Sequence, residues 1–176
     1  LAREKGSAAE LVDLCARLPL AIEMAGVRLA AKPHWPLATL AARLADRRTR
    51  LDELSDGDDG VRPNLRRTYQ LLDAEARLLY RRMGLCPASH LTPRACAALA
   101  ETSTRDAQEL VEELVDVRLV DPVGKHAGAH ARYRLDDLSR LFAWERAVAE
   151  ESSLRRAEAL ARAAARVTDD KAVINR

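Results

Sequence analysis

The chain has 176 residues, 48% hydrophobic and 32% charged, enough to bury one ordinary core or two small ones, which excludes a disordered tail. Formal net charge is +2, from 29 basic and 27 acidic side chains, so no global field draws the protein onto DNA or anionic lipid. No stretch approaches the roughly 20 apolar residues of a membrane span. The three cysteines Cys15, Cys86 and Cys96 are odd in number and sit in apolar helical settings, which suits a reducing, cytoplasmic compartment. No signal peptide is evident, and a start at Leu1 rather than Met reads as a fragment.

Apolar residues recur at helical spacing through the first third: Leu11, Leu14, Cys15 and Leu18, then Ile22, Ala25, Gly26 and Leu29, then Leu37, Leu40, Ala41 and Leu44. Pro19 fits the first turn of the second helix, and Lys32 to Pro36 breaks the chain before the third. The acidic, glycine-bearing segment Ser55 to Gly60 reads as a linker.

Beyond it, Leu65, Tyr69 and Leu72 form one stripe, and Asp73 is placed to cap a helix running through Met83 and closed by Gly84. Thr92-Pro93 starts a short helix to Ala100, and Ser103 with Asp106 makes an approximate capping box for Thr104 to Val117, buried along Leu110, Val111, Leu114 and Val117. Leu119-Val120 and Tyr133-Arg134-Leu135 read as two short strands joined by a Gly/His/Ala-rich wing, Asp121 to Ala131. A last helix opens at Asp136 or Asp137 and continues or restarts through Ser152 to Val167, whose Ala-rich face resembles the entry to a helical repeat array. The predicted fold is therefore mainly α: a small helical bundle over 1–57, a winged-helix domain with a short β-hairpin over 58–150, and a C-terminal linker helix over 151–176.

Two runs, Cys15 to Gly26 (CARLPLAIEMAG) and Arg132 to Arg146 (RYRLDDLSRLFAWER), together resemble the regulatory half of the NB-ARC class of STAND signal-transducing NTPases. The form they resemble most is that of SARP-type actinobacterial regulators of antibiotic pathways. Thr68-Tyr69 and Gly84-Leu85-Cys86-Pro87 fill further places in that pattern, and the likeness runs from about Ala9 to Glu150. It implies a transcriptional regulator in which an upstream P-loop domain holds ADP or ATP. The helical part then closes over adenine through Leu18 and Pro19, and the opening of the last winged-helix helix, Asp136 and Asp137, senses the phosphates. It also implies a C-terminal helical-repeat sensor and self-association as partners.

This chain departs from that pattern in two places. Arg17 stands where many members carry Gly, and Asp136 where the family has a phosphate-contacting His; a carboxylate there repels phosphate rather than donating to it. None of the seven glycines begins the G-x-x-x-x-G-K-[ST] loop that cradles phosphates, so ADP or ATP is expected only in the full-length protein, with no cofactor and no catalysis for this chain alone. Read without the resemblance, Pro19 is a helix-start proline and Asp136 or Asp137 a helix cap.

A winged helix can also read DNA through its third helix. Here that helix carries Arg105 and Arg118 against Asp106, Glu109, Glu112, Glu113 and Asp116, the wrong balance for offsetting phosphate repulsion. A nucleotide-independent DNA-binding or protein-interaction module stands as the alternative reading, with a protein-facing surface favoured by the charge. The arginines at 47, 48, 50, 62, 66, 67, 77, 81 and 82 read as solvated faces paired with acids, or as a surface receiving a partner domain or phosphate. Cys86, His90 and Cys96 lack regular zinc spacing and a fourth ligand, so no metal site is expected, and no nucleophile-base pair can be assembled from His34, His126 or His130.

Overall fold

The computed structural model describes residues 2–124 and 131–174, which leaves His126, Gly128 and His130 of the expected wing outside the described residues. The chain divides into two compact units, Leu1–Arg67 and Thr68–Arg176.

In the first unit, α1 (Ala2–Leu14), α2 (Pro19–Ala30) and α3 (Leu37–Ala45) pack on one another, followed by the short α4 (Arg50–Glu53). Their shared core holds Leu11, Cys15, Ala21, Met24, Ala25, Leu40, Ala41, Leu44, Leu51 and Leu54. The buried side of α2 matches the predicted one at Ala25 but not at Ile22 or Gly26: Ala21 and Met24 point inward with Ala25, while Ile22 is 39% exposed and Gly26 is exposed. PLAIEMAGVRLA is apolar almost all round, so its periodicity left the inward stripe open, and the small Ala21 and Ala25 allow the closer packing.

Ser55–Gly60 is not a bare linker. It folds as an antiparallel hairpin of β1 (Ser55–Asp56) and β2 (Asp59–Gly60), with Ser55 opposite Gly60. Gly60 lies at φ +105° and a β-carbon there would meet the Leu54 carbonyl oxygen at 2.5 Å, so the turn admits only glycine. The helix α5 (Val61–Leu71) follows, its last residues, from Thr68, belonging to the second unit.

The second unit is built from α6 (Ala74–Leu85), α7 (Pro93–Ala100), α8 (Thr104–Asp116), β3 (Asp121–Pro122), β4 (Tyr133–Arg134), α9 (Asp137–Glu150) and α10 (Ser153–Ile174). Three helices, a hairpin and a further helix make the winged-helix order. Three of these helix starts carry the side-chain caps expected: Asp73 accepts from the Ala76 amide at 2.7 Å, Thr92 from Ala95 at 3.2 Å and Ser103 from Asp106 at 3.1 Å.

The second strand forms at Tyr133–Arg134 as expected, but the first lies two residues later than the apolar pair Leu119-Val120 predicts: Asp121 pairs with Arg134 and Pro122 with Tyr133. Leu119 and Val120 are buried as the chain leaves α8, so their apolarity serves the core rather than the ladder. Leu91, not predicted as extended, exchanges both backbone hydrogen bonds with Tyr133 at 2.8 and 2.9 Å. Val117 is only half-buried, being the C-cap of α8.

Gly84 does not close α6 as its residue type suggests. It lies inside the helix, which runs to Leu85, because α9 crosses there too closely for a side chain.

Candidate functional site

The residues expected to meet a nucleotide occupy two helix starts, one in each unit. Leu18 is the N-cap of α2, extended at φ −79° and ψ 128°, half-buried and without a side-chain capping bond. Pro19 takes the first helical position, where a missing N–H costs nothing, and its ring is exposed. Below it Ala21 is fully buried, and its carbonyl accepts from the Cys15 thiol at 3.6 Å. Burial pushes that thiol up to about 11, the Arg50 charge opposing the rise.

The turn leading to this proline is strained. Ala16 and Arg17 both sit in the left-handed region, at φ 52° and 58°, and close α1 through the bonds Ala16 N to Asp13 O (2.9 Å) and Arg17 N to Val12 O (3.0 Å). These are the two bonds of a Schellman ending, which glycine makes without steric cost. Arg17 thus stands in a backbone conformation that favours glycine.

Asp136 is the N-cap of α9. Its Oδ1 accepts from the amides of Leu138 (2.8 Å) and Ser139 (3.0 Å), while Asp137 opens the helix exposed. Tyr80 sits beneath this turn, fully buried, donating to the Ser139 carbonyl at 2.9 Å. Burial first and the Asp136 charge second hold the Tyr80 hydroxyl well above its ordinary range. Arg140, one turn on, turns away from the carboxylate to donate to the carbonyls of Cys86 and, at 3.1 Å, Ala88. The α9 start therefore presents one committed carboxylate, one exposed carboxylate and no cation of its own first turn.

Of the arginines expected on solvated faces, Arg50 and Arg82 are structural, and so are Arg28 and Arg162. Arg50 is buried and donates to the carbonyls of Leu44 and Ala45 at the end of α3. Arg28 reaches the carbonyls of Asp52 (3.0 Å), Glu53 (3.1 Å) and Ser55 (3.3 Å) at the end of α4. In the second unit Arg82, its side chain 6% exposed, meets Glu151, 3% exposed, at 2.9 Å, and also the Leu99 carbonyl and Glu101. Arg162 joins Glu101 at 2.7 Å and the Ala98 carbonyl at 3.1 Å. These guanidiniums satisfy the orphan carbonyls of helices that lack a C-terminal glycine. The signal was invisible in sequence because Arg82 and Glu151 are 69 residues apart.

The outer side of α8 is acidic as its composition indicates: Glu109, Glu112 and Asp116 are exposed, and Glu112 accepts from the Tyr133 hydroxyl at 2.9 Å. Cys86 and Cys96 are buried, with thiols pushed by burial up to about 11 and about 12, and His90 is exposed beside Ser89. Among the described residues no three His, Cys, Asp or Glu side chains are gathered to hold a metal, and no helix is long and apolar enough to cross a membrane.

No family model matches the chain. It is 41% identical over 153 residues to the "Regulatory protein AfsR" of Streptomyces coelicolor, an alignment covering 86% of this chain and 15% of that protein. It is 40% identical over 162 residues to the protein of the same name from Streptomyces griseus, covering 90% of this chain and 16% of that one. Identity at this level over most of its length makes the chain a homologue of one segment of the regulatory protein AfsR, spanning 15–16% of the length of these two relatives.

Proposed function

We propose that this chain is the helical and winged-helix part of a SARP-type transcriptional regulator of the NB-ARC/STAND class. In that reading a P-loop domain outside the chain holds ADP or ATP, and the exchange or hydrolysis of nucleotide shifts a closed-to-open population that alters oligomerisation or output. The observation that carries it is the exposed ring of Pro19 at the first position of α2, in a chain homologous to a regulatory protein. An exposed, rigid apolar ring at a helix start is a surface on which an adenine can pack. No nucleotide chemistry is assigned to this chain's own residues.

The test is calorimetric titration of ADP into the full-length regulator and into its Pro19→Ala variant. Affinity weakened about tenfold by the substitution, equal to about 1.4 kcal/mol, fits lost contact with adenine. Binding of equal strength in both would remove Pro19 from the nucleotide site.

A second reading, a protein-interaction module without nucleotide dependence, is favoured by Asp136. Its carboxylate is committed to capping α9 and carries the wrong sign for a phosphate sensor. Full-length protein that folds and takes up no ADP would decide for it. The acidic α8 disfavours DNA as this module's partner.

A further inference from the structure

Three arginines on α5 take no part in the nucleotide reading. The helix VRPNLRRTYQL carries Arg62, Arg66 and Arg67 and no acid, so none of them meets a carboxylate at helical spacing within α5. Arg62 and Arg66 lie one turn apart as like charges, an arrangement that by itself costs stability. All three line one cavity of about 580 Å³ between the β1–β2 hairpin and α5, within the first unit.

The walls of that cavity are fixed by bonds of the fold. The Ser55 hydroxyl donates to the Leu51 carbonyl at 2.7 Å and accepts from the Arg62 amide at 3.2 Å, and the Val61 amide meets the Leu54 carbonyl at 3.0 Å. Arg62, its side chain 19% exposed, is held by Asp52 through Nε at 3.0 Å and Nη2 at 2.9 Å. Arg67 reaches back to the Asp58 carbonyl in the hairpin turn through Nη1 at 3.2 Å. Arg66 and Arg67 are both exposed, and among the described residues neither makes an ion pair. Two carboxylates, Asp52 and Asp58, line the cavity against three guanidiniums, and Asp52 is already taken by Arg62. The excess charge is therefore positive, and it lies where a solute can reach it.

We propose that this cleft binds a phosphoryl group, as inorganic phosphate or a small phosphomonoester, on Arg66 and Arg67 with Arg62 as the fixed charge beside them. A phosphoryl group presents its oxygens in a tetrahedral array that several guanidiniums can share, whereas a planar carboxylate suits a single guanidinium fork. A dianion also offsets the repulsion between Arg62 and Arg66 that α5 itself leaves uncompensated. The cleft is separate from the place given to adenine. Arg28, nine residues beyond Pro19 on α2, reaches the Ser55 carbonyl at 3.3 Å, so the cleft adjoins the far end of α2, roughly 14 Å along its axis from Pro19.

The test is NMR of the arginine Nε–Hε signals of the chain, titrated with sodium phosphate, sodium acetate and sodium chloride at matched ionic strength. The signals of Arg66 and Arg67 are identified by their loss in Arg66→Gln and Arg67→Gln. Saturable shifts of both with phosphate, at about tenfold lower concentration than with acetate and absent with chloride, are the expected result. Glycerol phosphate distinguishes the sources: binding as tight as that of phosphate names a phosphomonoester, and binding confined to the free ion names phosphate. Calorimetry with the tighter ligand should weaken by about tenfold in the double variant Arg66→Gln/Arg67→Gln, whose urea midpoint reports that it remains folded. An equal response to acetate or chloride, unchanged affinity in the double variant, or duplex DNA bound with steep salt dependence while phosphate does not saturate, would each overturn the proposal.

Discussion

Gly84 and Ala143 meet where α6 crosses α9: a β-carbon placed on Gly84 would stand 2.5 Å from the Ala143 β-carbon and 2.7 Å from the Trp144 amide nitrogen. Backbone cannot retreat as a flexible side chain can. Gly84→Ala should therefore lose about 1–3 kcal/mol, although it raises helix propensity. Urea denaturation gives the sign directly, and a more stable variant would mean the crossing is looser than the structure has it.

The Arg82–Glu151 pair is the most buried ion pair among those described, and Glu151 also takes Arg81 at 3.3 Å. Removing the acid leaves two guanidiniums without it, so Glu151→Ala should cost about 3–5 kcal/mol. Arg82→Met combined with Glu151→Met should cost less than the sum of the single changes, because neither charge is then stranded. Strict additivity in that cycle would show that the two side chains do not depend on one another.

Arg17 at φ 58° gives the opposite expectation. Its side chain is exposed, and its ion pair with Asp13 is a surface one, 78% and 62% exposed, so little is lost with it. Arg17→Gly should raise the thermal midpoint, with a gain of about 0.5–1 kcal/mol from relief of the left-handed conformation less the entropy of glycine. A lowered midpoint would show that the turn does not hold the residue in that region.

Asp136 can be tested as a cap and as a charge separately. Asp136→Ala should destabilise by about 1 kcal/mol, while Asp136→Asn, an equally good N-cap without the charge, should stay near wild type. In the full-length regulator Asp136→Asn and Asp136→His should each raise ADP affinity if the carboxylate opposes phosphate. Unchanged or weaker binding would show that the Asp136 charge does not oppose the phosphates.

High pH should weaken the fold. Burial raises the folded-state Tyr80 hydroxyl well above 10.0 and the Cys96 thiol from 9.0 to about 12. For such groups the stability is whole below the unfolded value and drains away as pH rises through the folded one. The urea midpoint should hold from pH 7 to about 9 and fall between about 9 and 12. Ellman's reagent at pH 8 should leave Cys96 unreacted until the chain is unfolded, and rapid labelling of the native protein would contradict its burial.

Several features of this protein are properties of short sequence windows, and the sequence by itself determined them. The caps Asp73, Thr92 and Ser103 and the helix-start prolines Pro19 and Pro93 rest on bonds or steric limits spanning three or four residues, and the order of three helices, hairpin and helix follows from apolar periodicity and turn residues along the chain. Asp136 as cap of α9 was legible for the same reason. So was the charge of α8, which composition alone gives.

Tertiary structure decided whatever joins residues distant in the chain. A nearly all-apolar α2 has no preferred inward face until α1 and α3 pack on it, which is why Ile22 ended outside and Ala21 inside. Gly84 looks like a helix terminator until α9 fills the space its side chain would need. The arginines divide by whether a carbonyl or carboxylate from elsewhere comes within about 3 Å, a distance no spacing rule encodes. At Arg146 the buried Nε meets none, and the guanidinium lies instead over the Phe142 ring.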